Sequence, residues 1–290
     1  MPKTRCRTGQ YSMPSGFSPH GAPSPRRRFG QNFLVDPRVA RRITDSVCAD
    51  KGDVVIEIGP GRAALTGALI ERFGRIAAVE IDRDLATDLR DRFAPEQLVL
   101  IEQDVLKLDL AMVARELSAQ ADARVVVVGN LPYNISKPFA NRLASLRDTV
   151  PHAVLMFQRE VAERLTATPG TKSYGPLTVL VDRTFAVEPL FDVSPQAFRP
   201  RPKVVSTVTR WTAKTASSFD SRLEQPLRRC LAAAFGRRRQ TLFRNLRAVL
   251  PGGESEARRV LDDTGIDGGL RAEKLTPEEF VRLARYGFDR

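Results

Sequence analysis

From Asp53 onward, short apolar runs bounded by turn residues alternate with segments of helical periodicity, an order that few folds accept. The runs Val54 to Ile58, Arg75 to Ile81, Leu98 to Gln103, Arg124 to Gly129 and Ala153 to Phe157 read as strands. Between them, Ala63 to Phe73, Leu85 to Arg92, roughly Ala111 to Ala119, and Pro138 to Leu146 read as helices. Near-continuous Val and Ile in the first and fourth runs implies burial on both faces, as in the central parallel strands of a doubly wound α/β sheet. Val204 to Arg210 alternates apolar with polar and reads as an antiparallel strand completing that sheet. Upstream, Asp36 and Pro37 form an N-cap and first helical residue, predicting a helix through Val39, Ile43 and Val47. No internal repeat is evident.

The 290 residues suffice for one substantial core and a smaller domain. Residues 1–28 are rich in Ser, Pro, Gly and Arg and contain no acid, so they read as a disordered basic arm in which Arg26, Arg27 and Arg28 are expected to touch RNA. An organellar transit peptide is the other reading of that composition, against which stands the lack of a convincing amphipathic helix. An α/β domain is expected over 29–212. Near Thr212 the composition shifts: Lys214, Ala216, Ser217 and Ser218 form a polar linker, and 213–290 reads as an all-helical domain. Its helices crowd together Arg222, Arg228, Arg229, Arg237, Arg238, Arg239, Arg244 and Arg247 with few acids between them. A charge run is most often a solvated helix face; here the shortage of acidic neighbours favours a polyphosphate partner, met chiefly by Arg237, Arg238 and Arg239.

Forty-six Lys and Arg against 34 Asp and Glu leave a formal charge of +12, which suits a polyanion. No apolar run approaches the roughly 18 residues of a spanning helix, so membrane insertion is not expected. The three cysteines share no metal-type spacing, and with only His20 and His152 beside them a zinc site lacks ligands. Reduced thiols and a cytoplasmic location are the simplest account.

Two motifs fall where strands end, which is where open α/β sheets collect ligands. Glu57-Ile58-Gly59-Pro60-Gly61 closes the first strand before a helix; its glycines permit close backbone approach, and the helix N-terminus favours an anion. With Ala64 in the last place and the acidic Glu80 about 20 residues on, the loop fits a dinucleotide site as well as a methyl donor's site. Asp104, at the end of the third strand, is a further acid, although Asp commonly caps turns there. Asn130-Leu131-Pro132-Tyr133 ends the fourth strand. Its amide oxygen and a backbone carbonyl can accept both N–H bonds of an exocyclic amine while the ring stacks on a base; the plainer reading is a strand-terminal turn.

Together with Gln31-Asn32-Phe33-Leu34, Glu80-Ile81-Asp82, Asn134-Ile135-Ser136, Gln158 to Leu165, Ser173-Tyr174-Gly175, Phe198-Arg199-Pro200-Arg201-Pro202-Lys203-Val204 and Phe235 to Leu242, these motifs resemble the small-subunit ribosomal RNA adenine N6-dimethyltransferases. The resemblance runs from about Arg26 to the C-terminus and includes the helical segment that related macrolide-resistance methyltransferases do not share. It implies a Rossmann-like class I methyltransferase domain and a helical RNA-binding domain. The implied activity uses S-adenosylmethionine to dimethylate two adjacent adenines in a hairpin loop near the 3′ end of small-subunit rRNA, on the assembling small ribosomal subunit. By the same resemblance Asn32, Leu34, Gly59, Gly61, Glu80, Asp104 and Asn130 line the donor site, with Glu80 on the ribose hydroxyls and Asp104 on the donor's adenine amine. Asn130, Leu131 and Tyr133 hold the target base, and Phe198 stacks on its other face. A monomer is expected, the partner being so large.

Three alternatives remain at this stage. One is a 23S-type resistance methylase, another a ribosome-assembly factor that uses the fold as a docking platform. The third, a nucleotide-dependent oxidoreductase, is allowed by the glycine loop and Glu80 but leaves the Asn130 tetrapeptide and the basic helices unexplained.

Overall fold

A computed structural model of the chain describes residues 31–50, 52–118, 124–214 and 220–289. Arg26, Arg27 and Arg28 lie outside the described residues. In chain order the elements begin with β1 (Phe33–Leu34), α1 (Pro37–Asp45), β2 (Val54–Ile58), α2 (Thr66–Phe73), β3 (Ile76–Val79), α3 (Arg83–Arg92) and β4 (Leu98–Ile101). There follow α4 (Leu110–Leu117), β5 (Val125–Asn130), α5 (Tyr133–Leu143), β6 (His152–Gln158), α6 (Arg159–Leu165), α7 (Pro176–Asp182), β7 (Phe185–Val193), β8 (Phe198–Arg199) and β9 (Ser206–Ala213). The helices α8 (Glu224–Phe235), α9 (Leu242–Arg247), α10 (Gly253–Thr264) and α11 (Pro277–Gly287) complete the chain.

The first of two units comprises the described residues up to 139 together with 148–159 and 189–211. Its sheet runs in the order β4-β3-β2-β5-β6-β9-β7, and β4, β3, β2, β5 and β6 are parallel neighbours. All five residues of β2 are buried, and β5 is buried up to Gly129, as expected of strands covered on both faces. Gly129 has its own reason to lack a side chain. A Cβ there would meet the Ile58 carbonyl oxygen at 2.7 Å, because β5 lies against β2 with Ile58 opposite Gly129. Val55, Val126, Val128, Val154 and Met156 from the strands pack with Ile43, Leu69 and Leu89 from the helices into one core. Burying each such side chain contributes about 1.5–3 kcal/mol.

Several elements depart from the sequence expectation, which includes no counterpart of α6, α7, β1 or β8. The helix expected from Pro138 begins at Tyr133, so Pro138 lies inside it and the Asn130 motif becomes a direct strand-to-helix turn. The Pro132 carbonyl accepts bonds from the Ile135 N–H (3.1 Å) and the Ser136 hydroxyl (3.0 Å), which secures the first turn ahead of the proline. The nine-residue β7 was not expected at all; it carries Pro189, which a sheet tolerates on an outer strand, and β7 is the last strand of the order.

The second unit is discontinuous in sequence, adding 140–147 and 160–188 to the segment from 212 onward. Tyr174 and Val179, which precede β7, pack in its core with Leu227, Leu231, Leu246, Val260, Phe280 and Leu283. Its helix ends carry local signals. Thr276 and Glu279 form a reciprocal capping box before Pro277, and Gly265 ends α10 with φ of 64°.

Candidate active site

The carboxyl ends of β2, β3 and β5, with the loop after β4, open onto one cavity of about 320 Å³, the lower end of the size range for small-molecule sites. β2 has β3 on one side and β5 on the other, so the sheet's direction of winding reverses beside it, where such sheets bind ligands. Asn32, Leu34, Gly59, Gly61, Glu80, Asp104, Asn130, Leu131 and Tyr133 all line this cavity.

One wall of it is made of backbone and carboxylates. Gly59 and Gly61 have φ of 65° and 56°, a region glycine enters without steric cost. A Cβ on Gly61 would sit 3.1 Å from the Phe33 ring, and one on Gly59 3.6 Å from Pro132 Cδ. The Glu80 carboxylate, 5 % exposed, accepts the backbone N–H groups of Ile81 and Asp82 (both 2.9 Å) and Gly61 (3.2 Å). Burial raises its pKa, and those three N–H bonds oppose the rise. Glu57, 1 % exposed and bonded to the Thr66 hydroxyl at 2.7 Å, is pushed up to about 8 by burial, with the nearby Glu80 charge adding to the effect. Asp104 accepts the Leu106 N–H (2.9 Å) and holds the loop after β4.

Residues 31–34 are laid across the cavity by pairing at a distance. β1 pairs antiparallel with β8, Leu34 opposite Phe198, and Val35 donates to the Ala197 carbonyl (2.8 Å). Gln31 reaches Asp82 (3.4 Å), and the Asn32 carbonyl accepts from Asn130 Nδ2 (3.1 Å). That bond occupies the donor end of the Asn130 amide and leaves its oxygen as the end available to an amine. The Tyr133 hydroxyl lies 3.3 Å from that of Ser206, the first residue of β9, and burial raises its pKa, so the phenol stays protonated.

Phe198 is corrected by the structure. Expected to offer a stacking face, it is 1 % exposed, belongs to the core cluster with Leu34, Val193 and Ala197, and is absent from the cavity wall. The β1–β8 pairing turns its ring inward. Conversely, the sequence reading assigned no role to Phe33, Arg62 or Ser206. Arg62 lines the cavity and lies 4.6 Å from the centre of the Phe33 ring. Ser206 stands 73 positions from its partner Tyr133, too far apart for any local pattern to show.

In the helical unit Arg237, Arg238 and Arg239 are all exposed. The expected shortage of acidic partners does not hold for the wider arginine group. Arg222 pairs with Asp220, Arg228 with Glu224, Arg238 with Glu273 and Arg247 with Glu254, and Arg229 donates to the Phe288 carbonyl. Arg238 also donates to the Lys172 and Tyr174 carbonyls (2.9 and 3.1 Å), clipping down the preceding loop. Arg237, Arg239 and Arg244 are exposed with no such partner among the described residues.

A mostly parallel seven-stranded sheet, a glycine loop after its first long strand and a buried acid after the next define a class I S-adenosylmethionine-dependent methyltransferase fold. The cradle fits that donor: a backbone-held carboxylate faces a loop whose glycines take up positive φ and whose Gly61 lies tight against the Phe33 ring. The chain belongs to the ribosomal RNA adenine dimethylase family, whose profile matches residues 23–287. It is 44 % identical over 261 residues to the ribosomal RNA small subunit methyltransferase A of Aromatoleum aromaticum, covering 90 % of this chain and 93 % of that protein. It is 42 % identical over 264 residues to the protein of the same name from Laribacter hongkongensis, covering 91 % and 96 %. Among solved structures, a dimethyladenosine transferase from Plasmodium falciparum superposes with a TM-score of 0.69 at 25 % identity, covering 88 % of this chain and 99 % of that one. The 23S rRNA methyltransferase ErmE shares the fold, with a TM-score of 0.62 at 24 % identity, covering 89 % and 100 %. The activity of this chain is therefore S-adenosylmethionine-dependent dimethylation of adenine in rRNA.

Proposed function

We propose that the chain methylates N6 of two adjacent adenines in a hairpin loop near the 3′ end of small-subunit rRNA, acting as a cytoplasmic monomer on the assembling small subunit. The observation that carries this reading is that the Asn130 to Tyr133 turn opens onto the same cavity as the Glu80 carboxylate. The small-subunit assignment draws its support from the relatives in Aromatoleum aromaticum and Laribacter hongkongensis. Among the described residues no helix is long and apolar enough to cross a membrane.

In this reading the loop at Gly59 and Gly61 takes the amino-acid end of the donor, Glu80 the ribose hydroxyls and Asp104 the adenine amine, with Asn32 and Leu34 as wall. Bound there, S-adenosylmethionine supplies an electrophilic methyl group. The Asn130 amide oxygen and the Leu131 carbonyl accept the hydrogens of the target amine, while Tyr133 lies against the base. Those acceptor bonds favour the pyramidal amine, whose lone pair is otherwise delocalised into the ring, so they act most strongly as the transition state forms. No side chain has to remove a proton first, because the nitrogen becomes acidic only after it has gained the methyl group. Phe198 acts indirectly, by keeping Leu34 and β1 in register. The target adenine must lie unstacked in a loop to enter.

Incubation with labelled S-adenosylmethionine and under-methylated small and large subunits, kept separate, tests the reading once the modified nucleoside is identified. Dimethyladenosine confined to the small subunit is expected. Label on the large subunit moves the chain to the resistance-type specificity.

A further inference from the structure

Between β8 and β9 runs a short turn, residues 200–205, whose flanking strands are both tied to the cavity. At one end Phe198 is paired with Leu34 of the cavity wall; at the other, the Ser206 hydroxyl meets that of Tyr133 at 3.3 Å. Also at that second end, the Arg159 N–H donates to the Val205 carbonyl at 3.0 Å. Pro200 and Pro202 restrict its backbone, and Pro202 is buried. The Arg199 guanidinium folds back onto the Phe198 and Gln196 carbonyls (2.8 and 3.3 Å) and braces the turn from within.

Arg201 and Lys203 are then left exposed, with no ion-pair or hydrogen-bond partner among the described residues. Their neighbour Arg159 differs. Its guanidinium is held by Asp192 at 2.6 Å, and that carboxyl lies below its ordinary pKa through bonds from Thr207 and then Arg159. Arg201 is three positions from Phe198 and Lys203 three from Ser206, so the Cα of each basic residue stays within roughly 10 Å of that of an anchored residue.

We propose that this turn is a phosphate clamp in which Arg201 and Lys203 grip the RNA backbone beside the nucleotide entering the Asn130 site. The proposal rests on the target-base reading given above. A base that leaves its stack carries its own phosphates out of the helical path, and cations carried on an anchored turn can hold them there without reading sequence. The same turn leads into Ser206, whose hydroxyl meets that of Tyr133, so the gripped backbone and the ring share one support.

The test compares wild type with the Arg201→Ala/Lys203→Ala and Arg201→Lys/Lys203→Arg variants, binding each to under-methylated small subunits across a range of salt. For the alanine variant, the plot of log affinity against log salt becomes shallower by about 1.4–1.8, and KM rises at least roughly tenfold with kcat nearly unchanged. Donor affinity by calorimetry and melting temperature stay at wild-type values, and the charge-conserving variant keeps the wild-type slope. An unaltered slope in the alanine variant overturns the clamp, as does a charge-conserving variant as weak as the alanine one. If the wild-type enzyme instead methylates large subunits, the small-subunit reading falls and the same comparison on that RNA still decides the clamp.

Discussion

The buried acids beside the cavity of the α/β unit and the surface acids of the helical unit are satisfied in opposite ways. In the α/β unit Glu57, Glu80 and Asp82 are buried, and the bonds that hold the two glutamates come from the Thr66 hydroxyl and from backbone N–H groups. In the helical unit carboxylates pair with arginines at the surface, as in Arg228 with Glu224 and Arg238 with Glu273. Backbone donors satisfy a carboxylate's hydrogen bonds without cancelling its net charge, so the cavity remains suited to a cationic donor with ribose hydroxyls. A surface arginine already matched to a carboxylate has less to offer a phosphate. What the helical unit's own pairing leaves over is chiefly Arg237, Arg239 and Arg244, the side chains that a contact with RNA would use.

The largest expected effect is at the target edge of the cavity. Asn130→Ala should lower methyl transfer by about 10²–10³-fold with donor affinity within a few fold, since the lost acceptor acts mainly in the transition state. Unchanged turnover in the methylation assay would remove Asn130 from its role. Next comes the donor side, where Glu80→Ala leaves three backbone N–H groups without their acceptor and should weaken donor binding about 10–100-fold by calorimetry. Equal affinity would mean that those groups find other partners. Gly129→Ala tests the strand pairing that brings the two sides together. With 2.7 Å to the Ile58 carbonyl, it should cost about 1–3 kcal/mol in chemical denaturation, and no loss would show that β2 and β5 have slack.

A pH experiment sharpens the contrast between the two kinds of carboxylate. Glu57 ordinarily titrates near 4.5 and in the folded chain at about 8, so between those values the folded state holds a proton that the unfolded state has lost. Its contribution to stability is complete below 4.5 and declines as pH rises to about 8. Melting temperature measured over that window should fall less steeply for Glu57→Gln than for wild type, and parallel curves would assign the slope to other groups. The smallest effect divides the basic triplet. Arg237→Ala with Arg239→Ala should flatten the salt dependence of RNA binding by about 1.4–1.8. Arg238→Ala should chiefly loosen the loop held at Lys172 and Tyr174, read as faster hydrogen exchange there.

The elements that sequence reading located best are those with uniform local signals. β2 coincides with the run from Val54 to Ile58, and α1 begins at the Asp36 and Pro37 cap. Strand-end placement of Glu80, Asp104 and Asn130 follows from the same alternation, because a residue at the carboxyl end of a parallel strand has little choice of location. Where signals conflicted the reading slipped. Pro138 looked like a helix start but lies within α5, and Pro189 hid β7, whose edge position makes the proline harmless.

Taken alone, the sequence determined the alternating α/β core, the glycine loop with its acid on the next strand, and the amide-bearing turn, since each is written in side-chain period and turn chemistry over fewer than ten or so residues. Tertiary structure alone decided which distant groups meet. It set Ser206 against Tyr133, drew Asn130 to the Asn32 carbonyl, turned Phe198 into the core, and matched Arg238 with Glu273. Those partners are chosen by strand pairing and by the packing of whole elements, and segments tens of residues apart carry no shared local pattern that announces the meeting.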